Sequence, residues 1–216
     1  MTASHSHSAS AQPPRRRRSD GERSRAAILR EAAQLATVEG LDGLSIARLA
    51  DAVGMSKSGL FAHFGSKEEL QLATVATASE LFDEIVIDPA LAMPTGIERL
   101  RALCENYLRH VERSVYPGGC FFASAAAELD TRMGPVRDLA IEVVGGWLEQ
   151  QRKAVRDAQA EGAIDPSEDP DQLAFELEAY LMAANQMFVI SQDPAPIAQA
   201  RRAIARRLAQ VAPAGG

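Results

Sequence analysis

Eight consecutive residues carry the chemistry most easily read from this chain: Ser56-Lys57-Ser58-Gly59-Leu60-Phe61-Ala62-His63. Hydroxyls, an ammonium, an imidazole and a bare glycine are small or hydrogen-bonding groups, suited to close approach to base edges and phosphates. Glycine inside a helix costs roughly 1 kcal/mol relative to alanine, so Gly59 implies that something comes close to the backbone there. Just downstream, Ser66-Lys67-Glu68-Glu69 reads as a capping box, with Glu69 placed to answer the Ser66 cap. The free amides at such a helix start, together with Lys67, form a favourable seat for a phosphate.

Other reactive groups are sparse. Cys104 and Cys120 are too few for a disulfide framework and lack the paired ligands of a zinc site, so neither metal nor cofactor is expected. Gly118-Gly119-Cys120 invites the idea of a reactive thiol, but no basic neighbour is evident to lower its pKa, and a loop leading into a buried cysteine is the better reading. His110 reads as a surface group. No phosphate loop, His-Glu-x-x-His, Gly-x-Ser-x-Gly or dinucleotide glycine pattern is present, so an enzyme is not expected.

The elements that must position these groups are helical. Ser45 caps a short helix with Ile46, Leu49, Ala50 and Val53 inward; Gly54 permits a tight turn; Ser56 caps a second helix with Leu60 and Phe64 inward. Two short helices across a glycine turn make a helix-turn-helix, whose second helix enters the major groove. Ahead of it, Arg23 to Val38 has apolar residues at helical spacing, ended by Gly40. Leu70 to Val86, Ile97 to Val111, Pro135 to Ala160, Pro170 to Ile190 and Pro194 to Val211 also read as helices, with Asp169 and Asp193 as starting signals. No alternating strand pattern and no repeat occurs, and the class is all-α.

From Arg25 to Leu70, and above all in Leu44 to Ala50 with Val53 to Leu70, the chain resembles the TetR family of bacterial one-component regulators. The resemblance implies about nine helices: a three-helix DNA-binding head, and a larger body that binds a small molecule and dimerises. It places Ser45, Ser58, Gly59 and His63 where the family touches DNA, and Lys67 where it holds a phosphate. Ser56, Lys57 and Phe61 complete the candidate DNA-binding set. Phe61 stands where the family usually has tyrosine and lacks the hydroxyl that would bond a phosphate.

Charge is divided in the same sense. Residues 1–70 carry 10 Lys+Arg against 8 Asp+Glu, a balance of +2, and the rest 13 against 21, or −8, together the net −6. Such asymmetry suggests a nucleic-acid-facing end. Met1 to Ser19 reads as a disordered basic leader in which Arg15, Arg16, Arg17 and Arg18 could serve as a DNA arm. Residues 20–66 are then the helix-turn-helix domain and 67–216 the body. No stretch approaches the ~18 apolar residues of a membrane span, and two cysteines suit a reducing cytoplasm.

In the body, Leu103, Cys104, Tyr107, Leu108, Val111, Phe121, Phe122 and Trp147 are the candidate lining of a ligand pocket, with Tyr107 and Trp147 foremost because each joins an apolar body to a polar handle. Leu177, Leu181, Phe188, Ile197, Ile204 and Leu208 are the candidate homodimer contact, since the resembled family pairs its last two helices across a two-fold axis. Intramolecular core is the competing account of that stripe. The expected function is a transcriptional regulator, a repressor released from a palindromic operator by a small ligand. The rival, motivated by Phe61 and the acidic body, is a helical ligand-binding protein without DNA binding.

Overall fold

The computed structural model describes residues 14–129 and 133–213, all of whose regular structure is helical. The head comprises α1 (Pro14–Glu39), α2 (Ile46–Val53) and α3 (Lys57–Phe64). A long α4 follows as Lys67–Phe82, passes through a π-helical turn at Asp83–Ile87 and ends with Asp88–Leu91. The body adds α5 (Gly96–Glu112), α6 (Phe121–Leu129), α7 (Pro135–Ala160), α8 (Pro170–Ser191) and α9 (Ala195–Gln210). That makes nine helices among the described residues, the number the family resemblance implies.

Local chemistry explains most of the boundaries. Ser45, Ser56 and Ser66 each have extended backbone, and each hydroxyl accepts the amide three residues on, from Arg48, Gly59 and Glu69 respectively. Asp169 accepts from Asp171 and Gln172 ahead of Pro170. Gly54 closes α2 with φ +67°, a conformation that glycine adopts without the steric penalty of a Cβ. The first helix begins well before the sequence period does, at Pro14, so the backbone of Arg15 to Arg18 is helical rather than part of an unstructured leader. Arginine is a good helix former and proline is tolerated in a first turn. The apolar period could not mark this extension, because it reports a buried face. The rest of the leader, and the side chains of Arg15, Arg16, Arg17 and Arg18, lie outside the described residues.

One core runs from head to body. Ile28, Leu29, Leu49, Leu60 and Phe64 close the head, and α1 also packs on α4. In the body α5, α7 and α8 pack around one another, with α4 against α7 and α9 against α8. Leu100, Leu103, Leu173, Leu177 and Leu181 are all fully covered. Each such leucine contributes about 1.5–3 kcal/mol relative to an exposed one.

The loop into α6 is pressed between head and body. A Cβ on Gly118 would lie 1.9 Å from the carbonyl oxygen of Thr37, so only glycine fits against the end of α1. Gly118 N donates to Thr37 Oγ1 at 3.2 Å, and Cys120 N donates to Asn185 Oδ1 on α8 at 2.8 Å. The loop is therefore tied on both sides. None of the described helices is long and apolar enough to cross a membrane.

Candidate nucleic-acid interface and ligand cavity

Helix α3 turns Leu60 and Phe64 into the head and leaves Lys57, Ser58 and Phe61 outside, with Phe61 56% exposed. Arg25 of α1 sits over the Phe64 ring at 5.0 Å, and Arg48 of α2 bonds Glu39 at the end of α1, so both short helices are fastened to the first. The Arg48 pairing holds the Glu39 carboxyl below its ordinary range. Ser45, Gly59 and His63 are half-buried, Ser56 and Lys67 exposed.

At Gly59 the close approach anticipated from sequence comes from within the head. Ser56 Oγ accepts the Gly59 amide at 3.1 Å, and a Cβ on Gly59 would lie 3.0 Å from that hydroxyl. Glycine thus makes room for the cap. Ser58 Oγ stands 3.3 Å from Ser56 Oγ, so the hydroxyls that cap α3 and line its exposed start form one small group.

Lys67 is engaged within the chain: Nζ donates to the Asp42 carbonyl oxygen at 2.6 Å and lies 3.2 Å from Asp42 Oδ1. Gln71, one turn along α4, donates to the Leu41 carbonyl at 2.6 Å. From the body side Glu128 accepts the amides of Leu41 and Asp42 at 2.6 and 2.5 Å. Loop 40–43 is therefore held by α4 and by α6 together. Neither Glu128 nor Asp42 was singled out from sequence, and no local pattern could have found contacts spanning 86 and 87 residues.

A cavity of about 90 Å³ lies inside the body, lined by Phe82, Tyr107, Phe122, Trp147, Glu178 and Met182 among others. Of the expected lining residues Tyr107, Phe122 and Trp147 face it. Leu103, Val111 and Phe121 are core, and Cys104 and Leu108 instead border a shallow groove between α5 and α9 beside Arg201. The reason is angular: the apolar face of α5 is wide, and only part of it turns toward α7. Tyr107 and Trp147 are nearly parallel with ring centroids 5.8 Å apart, and Phe82 meets Trp147 edge-on at 5.3 Å.

The residue that sequence reasoning missed here is Glu178. Its Oε2 accepts from Trp147 Nε1 at 2.8 Å and from Gln151 Nε2 at 3.1 Å. Burial raises its carboxyl above the ordinary value, against the pull of those two bonds. Its position was the available signal, one residue after Leu177 and three before Leu181 on a helix apolar on more than one side.

Other expectations fall differently. Cys120 is buried and its thiol is pushed upward by burial, in keeping with the inert-cysteine reading. Cys104 is pushed up to about 12 for the same reason. His110 is not a surface group: it is 2% exposed, stands against Phe82 and Tyr116, and burial lowers it to about 4.

Leu177, Leu181, Phe188, Ile197, Ile204 and Leu208 are all buried within the chain itself, at 8% exposure or less, so intramolecular core accounts for that stripe. These side chains join α8 and α9 to each other and to the body. The outward apolar residues of α8 are Phe175, Met187 and Ile190, exposed by 69%, 53% and 77%.

Comparison with known proteins bears on both sites. Residues 28–74 match the family described as bacterial regulatory proteins, TetR family, and residues 96–204 match the tetracyclin repressor-like C-terminal domain. The transcriptional regulator AcuR of Cereibacter sphaeroides is 24% identical over 171 residues, covering 76% of this chain and 77% of that one. A TetR transcriptional regulator from Chloroflexus aurantiacus superposes with a TM-score of 0.81 at 28% identity, over 89% of this chain and 97% of that one. AibR, in a crystal structure with isovaleryl coenzyme A and operator DNA, superposes with a TM-score of 0.67 at 25% identity, over 88% of this chain and all of that one.

Proposed function

The chain belongs to the TetR family of DNA-binding transcriptional regulators, and from that premise we propose that it is a repressor that holds a palindromic operator as a homodimer and releases it when a small molecule fills the body. The observation that carries this reading is the capped α2–α3 pair, which presents Lys57, Ser58 and Phe61 outward from a rigidly seated short helix. A recognition helix of this kind reads bases from its exposed side while flanking groups hold the backbone. Ser45, Ser56, Lys57, Ser58, Gly59, Phe61 and His63 are assigned to the operator surface, Lys67 to a phosphate, and Arg15 to Arg18 to an accessory arm.

The ligand enters the cavity beneath Trp147, and the chain binds it without turning it over. AibR, similar in fold, is a case in which ligand and operator occur on one such protein. The head ends near Ser66, where α4 begins, and residues 67–216 form the body. For the homodimer, the outward residues Phe175, Met187 and Ile190 take the place of the buried Leu177, Leu181, Phe188, Ile197, Ile204 and Leu208, because exposed apolar groups gain most from a partner. The protein works in the cytoplasm, on the nucleoid.

Selection of bound sequences from a random duplex library, followed by titration of the best site at two salt concentrations, tests the reading. A palindromic motif bound by a dimer with steep salt dependence is the expected result. Weak, unspecific binding would instead leave a helical ligand-binding protein.

A further inference from the structure

Among the described residues the cavity beneath Trp147 has one charged group in its lining, and that group is negative. Glu178 presents a carboxylate there, and among the described residues no lysine, arginine or histidine borders the space. Both hydrogen bonds to Glu178 end on the same oxygen, Oε2, and both come from neutral donors, Trp147 and Gln151. Among the described residues Oε1 forms no hydrogen bond. Glu178 is half-buried, and a carboxylate partly withdrawn from water without a counter-charge is costly, since neutral donors replace only part of its lost hydration. The Tyr107 hydroxyl, also in the lining, is buried with only the weakly bonding Cys120 thiol beside it. Around this pair stand the rings of Phe82, Phe122 and Trp147.

A second hollow, of about 300 Å³, shares Phe122, Ala126 and Val144 with the first and continues along Ile141, Gly145 and Leu148. It is apolar apart from Arg137. Charge therefore runs from a positive outer end to a negative inner one.

Taking the ligand-responsive reading above as its premise, we propose that the ligand is a small organic cation: an ammonium group on an apolar body, with the ammonium beside Glu178 and the body in the hollow between α6 and α7. Aromatic faces attract cations through the ring quadrupole, and the attraction strengthens where water is excluded. Glu178 supplies the full counter-charge that Trp147 and Tyr107 cannot, while Arg137 disfavours the opposite orientation. A ligand carboxylate at the inner end would meet Glu178 with no base to offset the repulsion. A neutral ligand would leave the Glu178 charge without a counter-charge.

Trp147 is the only tryptophan in the chain, so its fluorescence reports on this cavity alone. The test is titration of the purified protein with hexyltrimethylammonium, hexanoate and hexanol, three probes that share an apolar chain and differ in charge. The expected result is saturable perturbation of Trp147 by the ammonium with an affinity at least about ten-fold above the other two, a difference of about 1.4 kcal/mol. Glu178→Gln should remove that preference while leaving hexanol binding in place. Equal or tighter binding of hexanoate or hexanol overturns the cation assignment and leaves the ligand-responsive reading standing. Retention of the ammonium preference by Glu178→Gln, or silence of all three probes, overturns the assignment as well. The operator selection described above decides separately whether the chain is a DNA-binding regulator.

Discussion

The Glu128 carboxylate, on α6, accepts the backbone amide of Leu41, in the loop that ends α1, at 2.6 Å. The same carboxylate takes the Asp42 amide, and the same helix carries Phe122 and Ala126 at the cavity wall. One helix thus touches both the ligand space and the backbone of the head, and a shift of α6 that keeps these bonds carries loop 40–43 with it.

Replacing Glu128 by alanine leaves two amides without their acceptor. The Leu41 amide is partly buried and the Asp42 amide exposed, so urea unfolding should register a destabilisation of about 1 kcal/mol, from the Leu41 bond chiefly. The ligand should also lose part of its effect on operator affinity, because coupling between sites requires contacts that differ between the two states. A Glu128→Ala protein as responsive to ligand as the parent would remove Glu128 from the coupling between cavity and head.

Lys67 is the test of the phosphate seat. It is tied to Asp42 in the free protein and must leave or share that partner to contact DNA. Lys67→Ala should weaken binding to every sequence alike, and the slope of log K against log salt should become shallower by about 0.9, the contribution of one phosphate contact. An unchanged slope would mean that the lysine stays with Asp42 on DNA and serves only to hold the loop.

Phe61 offers a gain-of-function counterpart. It is exposed on α3 and lacks a hydroxyl, so Phe61→Tyr adds a hydrogen-bond donor where the operator backbone is placed. The expected effect is about five-fold tighter operator binding, roughly 1 kcal/mol for one net hydrogen bond, with little change in stability. Equal affinities in an electrophoretic or anisotropy titration would place Phe61 away from any phosphate.

The pattern of what could be read from sequence follows from the range of the forces involved. Capping is local, so Ser45, Ser56, Ser66 and Asp169 were legible from residue type and position, and each accepts the expected amides. Helix α6 was not read as a helix, because Phe121 to Leu129 is short and rich in alanine, and nothing in it distinguishes a buried from an exposed side. The stripe of Leu177, Leu181 and Ile204 was correctly apolar, but a period says only that a face is covered, never whether the cover comes from the same chain. The cavity needed residues from five helices to be brought together, and Glu178 became visible only when Trp147 and Gln151 were seen to donate to it. His110 follows Tyr107 by three residues and shares its buried face, which its polarity conceals in the sequence.

The proposed homodimer makes its own demand on α8. Phe175 and Ile190 lie outward near opposite ends of the helix, with Met187 between them. Phe175→Lys with Ile190→Lys should separate the protein into monomers in sedimentation equilibrium while leaving its helical content intact, because neither side chain is buried within the chain. Operator affinity should fall with it, since one head alone contacts one half-site. A dimer that survives both lysines would move the interface elsewhere.

His110 gives the stability a definite dependence on pH. Burial lowers its folded-state value to about 4, from about 6.5 in the unfolded chain. Between those values the unfolded state binds the proton and the folded state does not. Stability therefore falls as pH drops through that window, is fully present above the unfolded value, and stops falling from this cause below about 4. The full effect is of order 3 kcal/mol. Glu178, whose folded value is raised, works in the opposite sense, since its folded form takes up a proton before the unfolded one does. The two are separated by comparing the parent with His110→Leu in urea at pH 7.5 and pH 5. The parent should lose more stability between the two than the variant does, and an equal loss in both would assign the acid sensitivity to other groups.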